Sequence, residues 1–263
     1  MINPGGGARG RSGWDSPPAK IDLAPGRKAE YAARMFPAIA RSYDFLTRLL
    51  TFSLDKGWRR FTVAQCGLRP GAAALDLATG TGELALELAR AVAPNGKVVG
   101  LDLCPEMLAR AREKLAGSPW ASIVELRQAD AGLELPFPNE GFDCATIGLA
   151  LRYFDVARTV GEMVRVIRRG GRVVILEFAT PRPLWARFGH APYAFTLMPA
   201  LGGLLAGDRK VWELLRFLPR SAAAFYQRDE LVHIMKHAGL TSVTVHDLTF
   251  GVVAVYVGVK TRA

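Results

Sequence analysis

The stretch that decides the fold runs from Ala74 to Glu83 and reads ALDLATGTGE. An apolar, strand-like segment ends here in a turn with two glycines, Gly80 and Gly82, and a helical pattern follows. Such a turn is typical of cofactor-binding α/β proteins, because glycine lets the backbone approach a ligand that the helix N-terminus faces. Gly80, Gly82 and Ala85 also fit the loose dinucleotide-binding pattern, so the glycines alone leave two classes of cofactor open.

The acidic residue Asp76, just before the turn, separates the two classes. A carboxylate at this point repels an anionic pyrophosphate, whereas it attracts the ammonium and sulfonium groups of S-adenosylmethionine. About twenty residues further on, a second apolar segment ends in Asp102, which is placed to accept hydrogen bonds from ribose hydroxyls. Both cofactors contain a ribose, so it is Asp76 that favours S-adenosylmethionine over a dinucleotide.

From residue 72 onward, apolar segments alternate regularly with helical patterns. The apolar run Val173–Leu176 is typical of a parallel strand that is covered on both faces. The last two β-rich segments are joined at Phe250-Gly251, which predicts an antiparallel hairpin. The sequence therefore predicts an α/β fold with a doubly wound, mostly parallel sheet. We predict strands over 72–77, 97–102, 122–128, 142–149, 172–178, 241–249 and 251–260, and helices over 83–93, 105–116, 156–168 and 229–238.

The segments around this pattern complete one domain. Residues 1–27 are rich in Gly, Pro and Arg and are predicted to be a disordered basic tail. Residues 28–263 then form a single domain: a helical cover (28–70), the cofactor-binding core (72–178), an insert (179–227) and the final helix and hairpin (228–263). The insert is apolar, aromatic and interrupted by prolines. It is either a lid and channel for a lipophilic substrate or a set of helices packed onto the core.

Bulk properties limit the location and the partners. The net charge of +10 suits an anionic membrane surface or nucleic acid, although a general arginine bias explains it equally well. Cys66, Cys104 and Cys144 are odd in number and lie in apolar segments, which predicts reduced core residues. His233 and His237 have metal-pair spacing but lack a third ligand, so we predict no metal. With neither a signal peptide nor a membrane-spanning run, we expect a cytoplasmic protein.

Together these motifs resemble the ubiquinone/menaquinone biosynthesis C-methyltransferase family, within the class I S-adenosylmethionine-dependent methyltransferases. The resemblance covers about Phe36 to Lys260 and is most specific in the N-terminal and C-terminal blocks. It rests on Ile39–Asp44, Leu49–Arg60, Leu75–Glu83, Asp130-Ala131, Leu135–Pro138, Phe142–Cys144, Arg169–Arg172, Leu176–Phe178 and Leu248–Ala254.

The resemblance implies a Rossmann-like class I methyltransferase fold and a set of cofactor contacts. Thr81 would contact the cofactor at the glycine turn, and Asp102 would hold the ribose. Asp130 and Ala131 would bind the adenine, and Gly148 would contribute a backbone contact. With the residues read directly from the sequence, the predicted cofactor site comprises Asp76, Gly80, Thr81, Gly82, Asp102, Asp130, Ala131 and Gly148.

Methyl transfer to a ring carbon requires a neighbouring hydroxyl to lose its proton, although a phenol has a pKa of about 10. Arg152, near a strand end, could stabilise the phenolate; a surface salt bridge is the other interpretation. Tyr43 could orient the ring, and Asp44 could accept the proton or cap a helix. Glu177 ends the fifth predicted strand at the same edge of the sheet as Arg152, and it could equally bind a backbone amide.

The acceptor is the least defined part of the prediction. Where the family has Phe-Gly-Leu-Arg-Asn, this chain has Leu149–Tyr153, which keeps the arginine and loses the asparagine. C-methylation of a quinol is the leading hypothesis, and N-methylation of phosphatidylethanolamine or methylation of another small molecule is the alternative. We expect a lipophilic small-molecule substrate and no nucleic acid. Two further partners stay open: the inner membrane face, contacted peripherally through the basic insert, and a second copy of the chain in a homodimer.

Overall fold

The computed structural model describes residues 25–206 and 209–261. Seven strands form one sheet in the order β3-β2-β1-β4-β5-β7-β6. The first five in that order are parallel, and the last two form an antiparallel hairpin along one edge. The strands are β1 (Ala73–Leu77), β2 (Lys97–Asp102), β3 (Val124–Gln128), β4 (Phe142–Gly148), β5 (Ile167–Phe178), β6 (Leu240–Leu248) and β7 (Val253–Lys260).

Helices cover both faces of the sheet, which confirms the predicted doubly wound architecture. Val173 and Ile175 of β5 pack into one apolar layer, whereas Val174 and Leu176 pack into the other. Alternate side chains of a strand point to opposite faces, so a fully apolar strand serves two cores. The helices are α1 (Pro25–Ile39), α2 (Tyr43–Leu50), α3 (Leu54–Gln65), α4 (Glu83–Val92), α5 (Pro105–Ala116), α6 (Val156–Val166), α7 (Leu184–Pro192), α8 (Met198–Ala206), α9 (Arg209–Ala223) and α10 (Arg228–His237).

The cover and the insert form a third apolar cluster across the carboxyl ends of the parallel strands. Ile39 and Leu46 from the cover pack there with Leu214 and Phe217 from α9. Residues 1–24, most of the predicted tail, lie outside the described residues, and α1 begins at Pro25, inside the segment assigned to that tail. The predicted helical cover, 28–70, contains three helices, and residues 40–42 separate α1 from α2.

The strand predicted at 172–178 begins five residues earlier in the structure. β5 begins at Ile167, so α6 ends two residues before the predicted helix end, and the Arg-Gly-Gly segment at 169–171 forms a bulge within the strand. The register between β4 and β5 shifts at this point. Gly170 has φ +77°, and a Cβ on Gly171 would lie 2.7 Å from the carbonyl oxygen of Asp143. Glycine therefore avoids strain at the first position and a clash at the second, which makes the bulge possible.

The described part of the insert is helical from Leu184 to Ala223. α7 continues through a π-helical turn, Tyr193–Leu197, into α8, and α9 follows after residues 207–208, which lie outside the described part. None of the helices among the described residues is long and apolar enough to cross a membrane.

Candidate active site

A cavity of about 550 Å³ lies at the carboxyl ends of the first parallel strands, where open α/β sheets bind ligands. The cover forms its roof through Phe36, Pro37 and Tyr43. Five of the eight predicted cofactor residues line it, which brings together side chains that are far apart in the sequence. They are Gly80, Asp102, Asp130, Ala131 and Gly148.

The glycine turn is held open by a hydrogen bond from its own backbone. Gly80 and Gly82 have φ values of +58° and +80°, a region that side chains disfavour. The N–H of Gly80 donates to Oδ2 of Asp102 (2.7 Å), and the N–H of Cys104 donates to Oδ1 of the same carboxylate (2.8 Å). Burial nevertheless raises the pKa of Asp102 above its ordinary value. Asp102 is therefore fixed in orientation at the cavity wall.

Asp76 lies beneath the turn rather than in the wall of the large cavity. It is 1% exposed, and its two oxygens accept hydrogen bonds from the hydroxyls of Thr79 (2.6 Å) and Thr146 (2.8 Å). Burial outweighs these bonds and raises the pKa of Asp76 from 3.8 to about 6. It lines a cleft of about 40 Å³ that shares Tyr43 and Gly80 with the large cavity. Asp76 can thus act on a ligand through its charge.

Two aspartates that line the large cavity also cap a turn or a helix, and the sequence indicated them only weakly. Oδ1 of Asp130 accepts from the N–H of Gly132 (2.8 Å), so this residue caps its turn and also lines the cavity. Asp155, which we did not predict as a site residue, lines the cavity while capping α6 through the N–H of Arg158 (3.1 Å). Its signal was an aspartate directly before a helix. Cys104 also lines the cavity, and burial raises the pKa of its thiol to about 11.

Asp44 joins the cover to the glycine turn. Its Oδ1 accepts from the hydroxyl of Thr81 (2.6 Å), and its Oδ2 pairs with Nζ of Lys114 (2.7 Å). Lys114 also pairs with Glu83 (2.6 Å), the first residue of α4. Both oxygens of Asp44 are therefore already occupied. The hydroxyl of Thr81 serves the same link, and Thr81 lines the small cleft instead of the large cavity.

Arg152 is buried and fully paired, so the surface salt bridge considered from the sequence is wrong. Arg152 is 4% exposed, and its Nη1 lies 2.6 Å from Oε1 of Glu177, which is fully buried. The remaining guanidinium nitrogens donate to Tyr153 Oη (3.0 Å) and Ser221 Oγ (3.3 Å). Glu177 also accepts from the N–H of Phe178 (2.8 Å), the kind of backbone contact that its position suggested. The contact with Ser221 of α9 could not be predicted from local sequence.

A second cavity of about 260 Å³ adjoins the first and is almost entirely apolar. The two cavities share Phe36, Tyr43 and Leu149, and Arg152 reaches the second one. Burial raises the pKa of Tyr43, although nearby Arg59 and Arg152 lower it, so its phenol is protonated at neutral pH. The insert builds one side of this cavity. Its lining from the insert comprises His190, Tyr193, Ala194, Met198, Val211, Leu214, Leu215 and Leu218.

Comparison with known proteins agrees with this geometry. The model of the ubiE/COQ5 methyltransferase family matches residues 25–260. The chain belongs to this family. A demethylmenaquinone methyltransferase of Desulfitobacterium hafniense is 40% identical over 251 residues, which are 95% of this chain and 98% of that protein. A ubiquinone/menaquinone biosynthesis C-methyltransferase of Geobacter sulfurreducens is 38% identical over 234 residues, covering 89% and 90% of the two chains.

The fold is also similar to that of a solved methyltransferase. A methyltransferase from Aquifex aeolicus described as SAM-dependent superposes with a TM-score of 0.58 at 19% identity, over 84% of this chain and 97% of that one. This member of the ubiE/COQ5 family is therefore a methyltransferase with the class I fold. Its described residues, 25–206 and 209–261, hold no group of three His, Cys, Asp or Glu side chains that could bind a metal ion.

Proposed function

We propose that this enzyme transfers the methyl group of S-adenosylmethionine to a ring carbon of a quinol with an apolar tail. The observation that carries the proposal is the meeting of two different cavities at Tyr43 and Leu149. One is acidic and lies at the strand ends, and the other is apolar. The relatives named as quinone-pathway methyltransferases support the same acceptor.

The large cavity has the charge that a cationic methyl donor requires. Three aspartates line it, Asp102, Asp130 and Asp155, and the described part of the chain places no lysine, arginine or histidine in its wall. A pyrophosphate in this cavity would face only acids, which disfavours a dinucleotide. When bound, S-adenosylmethionine supplies an electrophilic methyl group on a positively charged sulfur. Asp102 would hold the ribose, Asp130 and Ala131 the adenine, and Gly148 a backbone contact.

We assign the acceptor ring to the junction of the cavities, next to Tyr43. The phenol of Tyr43 stays protonated, so it would donate a hydrogen bond to the acceptor oxygen instead of removing its proton. Of the buried Arg152–Glu177 pair, only Arg152 lines the apolar cavity, so the pair presents its positive end to the acceptor. That positive end favours the ionised form of the acceptor hydroxyl, which loses its proton to solvent before the transfer, and the ring carbon releases its own proton to solvent after it.

Asp44 takes a different role from the one its position suggested. A proton acceptor must reach the acceptor hydroxyl, but Asp44 lines neither cavity nor the small cleft, and its oxygens accept from Thr81 and Lys114. We assign Asp44 as a positioning residue that holds the cover, and with it Tyr43, against the glycine turn. The tail of the acceptor would fill the apolar cavity. We further propose that the enzyme works from the cytoplasm at the inner face of the membrane, where such an acceptor is dissolved.

The identity of the acceptor is tested by product analysis with labelled methyl donor. Purified enzyme receives a chemically reduced demethylated quinol together with phosphatidylethanolamine, and mass spectrometry locates the label. We expect the label on the quinol ring carbon. Label on the amine nitrogen, or no label on either lipid, would overturn the proposal.

The role of Tyr43 is tested in the same assay. Tyr43→Phe keeps the ring and removes the hydroxyl, so we expect kcat to fall about a hundredfold while the Kd of the methyl donor is unchanged. Tyr31→Phe is the matched control, because Tyr31 lies in the same cover but lines neither cavity. Equal rates for Tyr43→Phe and wild type would remove Tyr43 from the reaction.

A further inference from the structure

Large aromatic side chains are exposed around the apolar cavity. Phe52 is 73% exposed, and its ring lies 5.7 Å from that of Tyr193, which lines the cavity. Phe250 is 62% exposed and follows Thr249, another lining residue. The ring of Phe250 lies 4.9 Å from that of Trp185 at the start of α7, and Phe188 follows one helical turn later. We call Phe52, Trp185, Phe188 and Phe250 the aromatic rim.

Two residues of the rim stand on strained turns. Phe52 and Ser53 have φ values of +52° and +60°, and Thr249 and Phe250 have +49° and +57°. Turns with positive φ ordinarily use glycine or asparagine, because a larger side chain costs conformational energy there. The second turn is fixed by a hydrogen bond from Trp58 Nε1 to Thr249 Oγ1 (2.8 Å) and by another from the N–H of Arg182 to the carbonyl of Phe250 (3.0 Å). The fold thus maintains a costly backbone that presents two phenyl rings to solvent.

The surroundings of the rim are apolar and positively charged. Exposed leucines continue the apolar surface along the insert, with Leu184 at 67% and Leu204 at 80% exposure. The sequence from Phe178 to Ala206 contains no aspartate or glutamate, and it carries Arg182 and Arg187. Asp247 lies beside these arginines and pairs with both Arg182 and Arg228. The local charge is therefore net positive around an apolar centre.

We propose that the aromatic rim docks on an anionic lipid bilayer and opens the apolar cavity towards the lipid. Aromatic rings favour the interface between headgroups and acyl chains, and basic side chains at the edge of the patch bind anionic headgroups. The mouth of the cavity would then face the membrane, so that a tail could pass between them without crossing water. The nature of that tail rests on the proposed function, whereas the docking does not.

The test measures binding of the full chain to vesicles in the absence of acceptor and methyl donor. Vesicles of phosphatidylcholine alone are compared with vesicles that also contain phosphatidylglycerol, by sedimentation at low and high salt. We expect stronger binding to the anionic vesicles and a loss of that preference at high salt.

The variant Trp185→Gln, Phe188→Gln, Phe250→Asn removes three rim side chains that line neither cavity, and asparagine tolerates positive φ. We expect its partition coefficient to fall at least about a hundredfold, since each buried ring contributes about tenfold or more. Unchanged affinity for S-adenosylmethionine shows that the variant is folded.

Leu133→Gln is the matched control. Leu133 is 53% exposed but follows β3, at the opposite edge of the sheet from the rim, so its substitution should leave vesicle binding unchanged. The proposal is overturned if wild type ignores anionic vesicles, if the triple variant binds as wild type does, or if the control loses as much. A rim that instead holds two copies together, shown by a wild-type dimer and a monomeric triple variant without lipid, also overturns it. Each of these results bears on the membrane location in the proposed function, and none of them changes the outcome of the methyl-transfer assay.

Discussion

Asp76 is the residue at which electrostatics and function are most closely linked. Its burial raises its pKa from 3.8 to about 6, although two hydroxyls donate to it. A carboxyl with a raised pKa binds its proton more tightly in the folded state, so the free energy of unfolding falls as pH rises from 3.8 to about 6. The fall is about 3 kcal/mol, and the full cost is present above pH 6. A charge maintained at this cost beneath the glycine turn suits the binding of a cation.

We therefore predict that the affinity for S-adenosylmethionine rises with pH. If only the ionised form of Asp76 attracts the cofactor, the affinity at pH 7 should be about tenfold higher than at pH 5. Asp76→Asn should bind more weakly at pH 7 and lose this dependence, because its amide carries no charge at any pH. Its Oδ1 can still accept from Thr146 and its Nδ2 can donate to Thr79, so the fold should persist. Calorimetric titration across this pH range measures both effects.

The stability of Asp76→Asn gives an independent check on the role of the Asp76 charge. Denaturant titration should show that Asp76→Asn lacks the fall in unfolding free energy that the wild type has between pH 4 and pH 6. Asp102, whose pKa burial also raises, is intact in the variant, so any dependence that survives belongs to other groups. A binding profile that is identical in the two proteins would show that the charge of Asp76 plays no part in cofactor binding.

Sequence could locate residues of the large cavity because each of them ends a strand or follows one closely. Parallel strands end at one edge of the sheet, so Asp102, Asp130 and Gly148 meet there whatever lies between them in sequence. The same logic fails for Arg152. Its partners Glu177, Tyr153 and Ser221 come from a strand, a turn and the insert, and their meeting depends on how the insert packs. No periodicity within one segment carries that information.

At the scale of elements, close packing of α8 against α9 places the insert beside the apolar cavity. A Cβ on Gly202 of α8 would lie 2.1 Å from Leu215 of α9, and one on Gly203 would lie 2.5 Å from Trp212. The two glycines let α8 and α9 approach closely, and Leu215 then lines the apolar cavity. Sequence indicated that the segment was apolar, but it could not indicate the direction in which the helices present that surface.

The insert should select acceptors by the length of their tails. Ala194 in the π-helical turn lines the apolar cavity, so Ala194→Leu would fill part of the space while leaving the cofactor cavity unchanged. For a long-tailed quinol we expect KM to rise at least about tenfold, since a mismatched methylene in an apolar site costs about 1–3 kcal/mol. For a quinol with a truncated tail we expect little change. Steady-state kinetics with the two acceptors measures the difference.

The matched control for this prediction lies on the preceding turn of the same segment. Ala191 is exposed and lines neither cavity, so Ala191→Leu adds the same groups outside the site. Its KM for both acceptors should equal that of wild type. Equal losses for long and short tails in Ala194→Leu would indicate a damaged fold rather than a shortened cavity.

At the scale of the whole molecule, the large cavity lies between the cover and the sheet. Ala32, Phe36 and Pro37 of α1 form part of its lining, and the next helix is joined to the core by Asp44. A ligand in this cavity therefore contacts two parts of the chain that belong to different layers. A bound ligand should oppose any motion of the cover away from the sheet.

This arrangement predicts a change in hydrogen exchange on ligand binding. If the cover opens only when the cavity is empty, amides of residues 30–50 should exchange more slowly by a factor of one plus the ligand concentration over Kd, or about a hundredfold at 100 times Kd. S-adenosylhomocysteine serves as the ligand, and mass spectrometry follows the exchange. The edge strand β6 lies on the far side of the sheet, so the exchange that reflects its local fraying should not change. Equal protection of both segments would mean that exchange follows global unfolding, and no protection of residues 30–50 would mean that the ligand binds without the cover.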